Sequence, residues 1–403
     1  MKKKILIIPS WYASINNPIV GSFFKEQARL LSNNGYDIKI LYGSYHVIHK
    51  KKGIINKARA YIRSRLKKPL DKISLHTDVL LQDPPAYSFS LSVSNELEDQ
   101  QLFAHACAAY LSAVQIIIES GWKPDILHAQ STLEAGIFAS YLSEILNIPF
   151  LIIEHQVFLL NKYSNYKQQL ILSALAKANK VGVVSEHQKK CVLMNQPNCD
   201  PSVIWNLVDE DNFKIAFKNS ERPFTIVTIT EPSPVKDHKT FFNAMKSLSL
   251  IDGDFHYIVI GNNSHNDISL ANSDVFIDYS KKLGIDKSGT FYPYLNRNEI
   301  AEILCNCDVF VSTSIAETFG IAAREAMMCG LPVVTTACGG IEDSITPDTG
   351  IVVPIRNHEA IARAILSIRN SGQKYNPQKI RDFAIAQCGK KSFLRKMEDF
   401  YSS

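Results

Sequence analysis

Two carboxylates, Glu317 and Glu325, stand eight residues apart in the stretch STSIAETFGIAAREAMMCG, residues 312–330. One precedes a predicted helix, Phe319 to Cys329, and the other lies inside it. The apolar run DVFVS (308–312) ahead of them reads as a buried parallel strand, and Gly330 stops the helix. A strand feeding such a helix leaves the backbone N–H groups of Phe319, Gly320 and Ile321 free at the positive end of the helix dipole. That end suits a diphosphate, glycine permits close approach, and a carboxylate can accept two hydrogen bonds from a vicinal diol. Phosphates and sugar hydroxyls together describe a nucleotide sugar. Two glutamates at this spacing would by themselves also fit a solvated helix face. The next run, LPVVTTACGGIED (331–343), reads as a second buried strand with a glycine-bearing turn, closing a βαβ unit.

The elements needed to position these groups alternate along the chain. KILIIP (4–9) reads as a strand, FFKEQARLLS (23–32) as an amphipathic helix stopped by Gly35, and DIKILY (37–42) as a second strand. DILHA (125–129), a helix from Thr132 to Leu146, IPFLIIEH (148–155) and KVGVVS (180–185) continue the series. A second series starts near Pro223 with FTIVTIT (224–230), a helix over 239–248, FHYIVIG (255–261) and GTFYP (289–293). Strand and helix in short alternation predict an α/β chain of parallel sheets covered on both faces. Two doubly wound halves are expected, with a ligand crevice between them: residues 1–205, residues 206–385, and a closing helix over 386–403.

Size and composition agree with this plan. A chain of 403 residues suits two domains, and its 46% hydrophobic content is that of a globular protein. The most apolar run, 104–118, is interrupted by His105, Ser112 and Gln115, so it is expected as a buried helix rather than a membrane span. The opening MKKKILIIPS is too short in its apolar part for a signal peptide and reads as the first strand. Eight cysteines without CxxC pairs imply reduced thiols in the cytoplasm, and Cys305 and Cys307 have no histidine in metal spacing. Asp252 and Asp254 raise the possibility of a metal-dependent transferase, but their place before a strand fits a turn, so no metal is expected.

The net charge of +5 is local in origin, because the segment from Lys50 to Lys68 carries +9 and leaves the remainder at −4. Within it Ile55, Ala58, Ile62 and Leu66 recur at helical spacing. An anionic membrane surface is the partner such a basic amphipathic helix fits; a solvated face and nucleic acid are the alternatives, the latter disfavoured by the single aromatic, Tyr61.

The pattern of a Glu, seven residues, a Glu, then AM, CGLPVV and GG resembles family 4 of the retaining glycosyltransferases. The resemblance spans nearly the whole chain, though the first half matches only in pattern. It implies the GT-B fold, two Rossmann-like domains facing across a cleft, and transfer of a sugar from a UDP- or GDP-sugar without a metal or other cofactor. It further implies that Glu317 holds hydroxyls of the donor sugar and Glu325 those of the nucleotide ribose, with a front-face displacement in which the leaving phosphate helps deprotonate the acceptor. Double displacement through Glu317 is the alternative.

By the same resemblance Lys236 is the cation that neutralises the diphosphate together with the helix amides. The match around it is partial. Thr230 stands where the family has glycine and Glu231 where it has arginine, and Glu231 is expected to point away from the diphosphate. His155, at the carboxyl end of a strand, resembles the histidine that faces the donor sugar, with a capping or core role as the alternative. His128 is expected to be structural. Gly21 resembles the glycine of the loop that approaches the donor phosphate, or is a turn glycine; Asn206 suits a hinge; Tyr294 falls in the base-contacting loop. Residues 261–263, GNN, replace a more usual glycine-rich turn.

The reading is a glycosyltransferase acting on a glycan, lipid-linked in view of the basic segment, in cell-surface polysaccharide or lipopolysaccharide synthesis. It would be cytoplasmic and peripheral at the inner face of the plasma membrane. The alternatives are a nucleotide-sugar epimerase of the same fold and a non-catalytic nucleotide-sugar-binding subunit.

Overall fold

A computed structural model describes residues 3–12, 21–48, 75–77, 83–94, 99–216, 221–261, 275–372 and 374–402. The segment expected to be a basic helix, 50–68, and residues 262 and 263 of the GNN turn lie outside the described residues. The chain divides into two compact units: Met1–Val184, Lys189–Ile204 and Asp399–Ser403 form unit 1, and Ser185–Gln188 with Trp205–Glu398 form unit 2.

Unit 1 is built on an eight-stranded sheet. Its strands are β1 (Lys4–Pro9), β2 (Asp37–Ile48), β3 (His76–Thr77), β4 (Ala86–Ser94), β5 (Ile126–Gln130), β6 (Phe150–Glu154), β7 (Lys180–Val183) and β8 (Ser202–Val203). They lie in the order β3-β4-β2-β1-β5-β6-β7-β8. Every pairing is parallel except that of the two-residue edge strand β3, which runs antiparallel to β4. β1 beyond Lys4 and β5 throughout are buried because helices cover both faces, which removes the alternation of a half-exposed strand.

The run expected to be a buried helix is longer than its apolar core suggests. Helix α2 (Asp99–Glu119; α1 is Ser22–Asn33) is long and apolar enough to cross a membrane by length and composition, yet it buries Phe103, Cys107, Tyr110, Val114 and Ile117 in the core of unit 1. Tyr110 stacks on Phe138 at 4.4 Å between ring centroids, and its hydroxyl oxygen accepts the Gly43 N–H at 2.9 Å. The helix predicted from Thr132 to Leu146 is interrupted. A turn with π-type bonding covers Thr132–Gly136, Leu133 and Glu134 leave helical geometry, and α3 begins only at Ile137 and ends at Leu146. The apolar periodicity is unaffected by that break, which is why sequence alone does not mark it.

Unit 2 carries six parallel strands: β9 (Phe224–Ile229), β10 (Phe255–Ile260), β11 (Gly289–Tyr292), β12 (Val309–Ser312), β13 (Val333–Thr336) and β14 (Gly350–Val353). Their order, β11-β10-β9-β12-β13-β14, winds outward in both directions from the β9/β12 pair, as in a dinucleotide-binding sheet. Asp308 pins the amino ends of that pair: it accepts the Arg222 guanidinium at 2.6 and 2.7 Å and the Thr225 N–H at 2.8 Å. Phe242, Tyr257, Phe276 and Phe291 form an aromatic cluster on one face of the sheet.

The last helix, Lys390–Tyr401, follows a separate one, Pro377–Cys388, with Gly389 between them, so the closing segment begins later than residue 386. Its end belongs to unit 1, where Tyr401 is buried and its hydroxyl lies 2.6 Å from Nδ1 of the fully buried His128. Burial pushes the His128 imidazole down to about 3. The unfolded chain therefore binds a proton that the folded chain excludes between the ordinary histidine value and about 3, so this contribution to stability is complete above the ordinary value and is lost as pH falls through that window. Chemical denaturation of His128→Gln is expected to show a shallower loss of stability on acidification, by up to about 1.4 kcal/mol per pH unit. An unchanged pH slope would remove His128 from the account.

Candidate functional site

In an open parallel sheet, ligands meet the carboxyl ends of the strands where the winding reverses. In unit 2 that point lies at the ends of β9 and β12, and the loops leaving these two strands carry Lys236 and Glu317. The loops are bonded to each other before any side-chain pair forms. Ile315 donates its N–H to the Val235 carbonyl at 2.7 Å, and the Thr313 hydroxyl lies 3.0 Å from both the Lys236 and Asp237 carbonyls. Glu317 is held from its other side as well: its N–H reaches the Cys338 carbonyl and its carbonyl accepts from Gly340, each at 2.9 Å. Side chains follow this frame. Lys236 Nζ pairs with Glu317 Oε1, and the Ser314 hydroxyl donates to the same oxygen at 2.9 Å. Burial works against the lysine's charge, but Glu317, and more distantly Glu231, outweigh it and hold the ammonium pKa above the ordinary lysine value.

Glu231, expected to point away from the diphosphate, accepts the Tyr294 hydroxyl on Oε2 at 3.3 Å, and its charge helps hold Lys236 protonated. Tyr294, expected in a base-contacting loop, follows β11 and is engaged with that carboxylate. Thr230 is anchored by its N–H to the Ile260 carbonyl at 2.9 Å, and Gly261 is required beside it, since a Cβ there would stand 2.1 Å from the Thr230 carbonyl oxygen.

The helix after Glu317 is shorter than predicted, Ile321–Met328, because Gly320 takes a left-handed conformation (φ 70°) and acts as its N-cap without a side-chain cap. Gly320 has no room for a side chain either, as a Cβ would lie 2.2 Å from Ile341. Among the described residues no acceptor meets the N–H groups of Phe319, Gly320 or Ile321. This helix is α9, following α4 (Asn165–Lys177), α5 (Glu186–Asn195), α6 (His238–Ser249), α7 (Val275–Leu283) and α8 (Arg297–Leu304). Glu325 lies within it, its side chain only 5% exposed, with Arg297 Nη1 at 3.4 Å from Oε1. Arg297 opens the helix Arg297–Leu304, which starts with a capping box from Asn296 and Glu299.

The sequence reading did not single out Arg297 or Arg324. Arg324, also in α9, is fully buried. It donates to the Phe319 carbonyl and, at 3.1 Å, to the Gly340 carbonyl, tying together the two glycine-bearing turns beside Glu317. Its guanidinium lies 4.0 Å from the Phe319 ring centroid and 5.0 Å from that of Trp205. Burial brings its pKa down to about 10, which leaves it charged at neutral pH. Its location inside an apolar stretch was the available signal: AAREAMM places a cation among residues that the periodicity buries.

In unit 1 the corresponding strand ends hold a different set. His155 is buried after β6, with Nε2 bonded to Gln130 and its ring 4.9 Å from that of Phe24. The adjacent Glu154 carboxylate accepts the N–H groups of Thr132, His155 and Gln156 at 2.8, 2.9 and 2.7 Å; burial nevertheless raises its pKa. Gly21 caps α1 with φ 71°, and a Cβ on it would approach the Trp11 carbonyl oxygen at 3.0 Å, so the turn alone demands glycine. Asn206 is buried just inside the start of the longer unit 2 segment. Asp252 and Asp254 are engaged by Arg369 at 2.7 and 3.5 Å, and Asp254 N–H closes a turn on Asp252 at 3.1 Å.

Residues 209–382, the bulk of unit 2, match the family model described as glycosyl transferases group 1. The chain is 37% identical over 89 residues to a D-inositol 3-phosphate glycosyltransferase of Mycobacteroides abscessus, a match covering 22% of this chain and 20% of that protein. It is 25% identical over 236 residues to a sulfoquinovosyl transferase of Arabidopsis thaliana, covering 56% of this chain and 45% of that protein. The matched stretches span less than half of either relative. Over the whole chain the architecture is similar to sucrose-phosphate synthase from Thermosynechococcus elongatus (TM-score 0.71, 15% identity, 99% and 98% of the two chains). It is equally similar to the Anabaena protein HepE in complex with UDP and glucose (TM-score 0.70, 15% identity, 99% of each chain). The fold is therefore that of the GT-B glycosyltransferases, two Rossmann-like domains on parallel sheets.

The Lys236 environment yields a measurable sign. With Glu317→Gln the carboxylate that opposes desolvation is gone, so the Lys236 pKa is expected to fall below the ordinary lysine value. Carbon NMR titration of labelled lysines reads this directly, and a value that stays raised would mean Glu317 is not the partner that holds the charge.

Proposed function

We propose that this protein is a retaining glycosyltransferase that moves a sugar from a UDP- or GDP-sugar to a glycan acceptor. The observation that carries the reading is the Lys236–Glu317 pair at the β9/β12 switch point, beside the uncapped amino end of α9. The match of residues 209–382 to the group 1 family model supports it, as does the fold shared with a protein whose structure holds UDP. In this reading Lys236 and the amides at Gly320 and Ile321 take up charge on the departing diphosphate, where fixed dipoles in a desolvated site act strongly. Glu317 accepts hydroxyls of the donor sugar and Glu325 those of the ribose, which requires Glu325 to share its carboxylate between Arg297 and the nucleotide. Neutralisation by a lysine and backbone amides needs no divalent ion.

A lipid-linked acceptor at the cytoplasmic face of the membrane follows from the charge of residues 50–68. The second reading, a non-catalytic nucleotide-sugar-binding subunit, is favoured by Glu231, a carboxylate whose charge acts on Lys236.

Nucleotide release from a panel of donor sugars, with a lipid extract as acceptor source, is the deciding assay. Glu317→Ala is expected to lower turnover roughly a hundredfold, and a chelator is expected to leave it unchanged; full activity in the variant sinks the site assignment. UDP or GDP binding without any turnover would favour the subunit reading. Separately, neutralising Lys50, Lys51, Lys52, Lys67 and Lys68 is expected to weaken sedimentation with anionic vesicles, and unaltered sedimentation refutes the membrane role.

A further inference from the structure

We propose that Arg324 is the buried counter-charge of an anion site at the amino end of α9, acting on the diphosphate from beneath the Phe319–Ile321 turn. This deepens the nucleotide-sugar reading of the same site. The argument begins with an electrostatic imbalance. Arg324 sits in the first turn of α9, at the positive end of the helix dipole, where a cation is disfavoured and an anion favoured. It is nevertheless fully buried and charged, and among the described residues no carboxylate lies within ion-pair distance of it. Glu317 and Asp343 act on it only from farther away. Its two bonds go to neutral carbonyls, of Phe319 and Gly340, and its Nε has no partner.

A buried charge is ordinarily paired or neutralised, because desolvating an isolated ion is costly. Here aromatic faces of Phe319 and Trp205 give partial compensation, and the helix end adds further positive potential. Glu317, which acts on Arg324 only from a distance, is already paired with Lys236. A doubly charged phosphate group at the Gly320 and Ile321 amides would complete the balance: it would meet the free N–H groups directly and the guanidinium field through the turn that Arg324 itself holds in place. Arg324 is thus a positioning residue with an electrostatic share in binding, and it does not itself touch the ligand.

The test is calorimetric titration of the full chain with inorganic pyrophosphate, UDP and uridine, for the unmodified protein, Arg324→Gln and Arg324→Lys. Glutamine retains donors for the two carbonyls without the charge, and lysine retains the charge. Arg324→Gln is expected to weaken pyrophosphate and UDP by about tenfold or more while uridine changes by less than about twofold; Arg324→Lys is expected to keep pyrophosphate affinity within about threefold. Equal weakening of UDP and uridine would assign Arg324 to packing alone and overturn the proposal. So would pyrophosphate affinity that is absent from the unmodified protein, unaltered in Arg324→Gln, or lost in Arg324→Lys; the last arm decides the matter should the glutamine variant fail to fold. Pyrophosphate binding that depends on Arg324 without any UDP or GDP binding would uphold this inference and reject the nucleotide-sugar reading instead.

Discussion

Everything at the unit 2 site depends on β9 and β12 being neighbours in a parallel sheet whose winding reverses between them. The two strands are 80 or so residues apart in sequence, yet their pairing brings the loop with Lys236 against the loop with Glu317. Backbone bonds then fix the loops to each other, and the ion pair forms on an already rigid frame. That order matters physically. A lysine and a glutamate on mobile loops would lose as much in side-chain entropy as their attraction returns, whereas here only the last torsions remain to be set.

The same frame explains why glycines cluster at this end of the sheet. Gly320, Gly340 and Gly261 each have a neighbouring atom within 2.2 Å of where a Cβ would stand, so the turns can close on one another only without side chains. Arg324 substitutes for the hydrogen bonds that such tight turns leave unmade, by donating to a carbonyl from each of two of them. A polar side chain in the core of unit 2 is thereby converted into a strut for the surface that is proposed to bind the donor.

Unit 1 uses another device at its strand ends. Glu154 gathers three backbone N–H groups, Ser10 accepts from Ala135 at 3.2 Å and donates to Leu133 at 2.6 Å, and between them the Ser131–Gly136 turn is held in a form that includes Ser131 at φ 78° and Glu134 at φ 67°. Positive φ at non-glycine residues persists only where surrounding bonds enforce it. His128 and Tyr401 form the buried polar contact at which the end of the chain is fastened into this unit.

Alternation of apolar runs with amphipathic segments was enough to establish the α/β class, the parallel strands and the βαβ unit around residues 308–343, because hydrophobic periodicity is a local property of the chain. The Glu317, Glu325 and Lys236 candidates were legible for a related reason: their types and the turn residues around them mark one strand end and one helix start. Tertiary structure alone decided which charges meet. It gave Glu231 the Tyr294 hydroxyl, gave Glu325 to Arg297, and broke the helix at Glu134. It also selected Arg324 as a buried cation. Each of these outcomes follows from contacts between segments distant in sequence, where burial and the sum of neighbouring charges, not local spacing, set the energy.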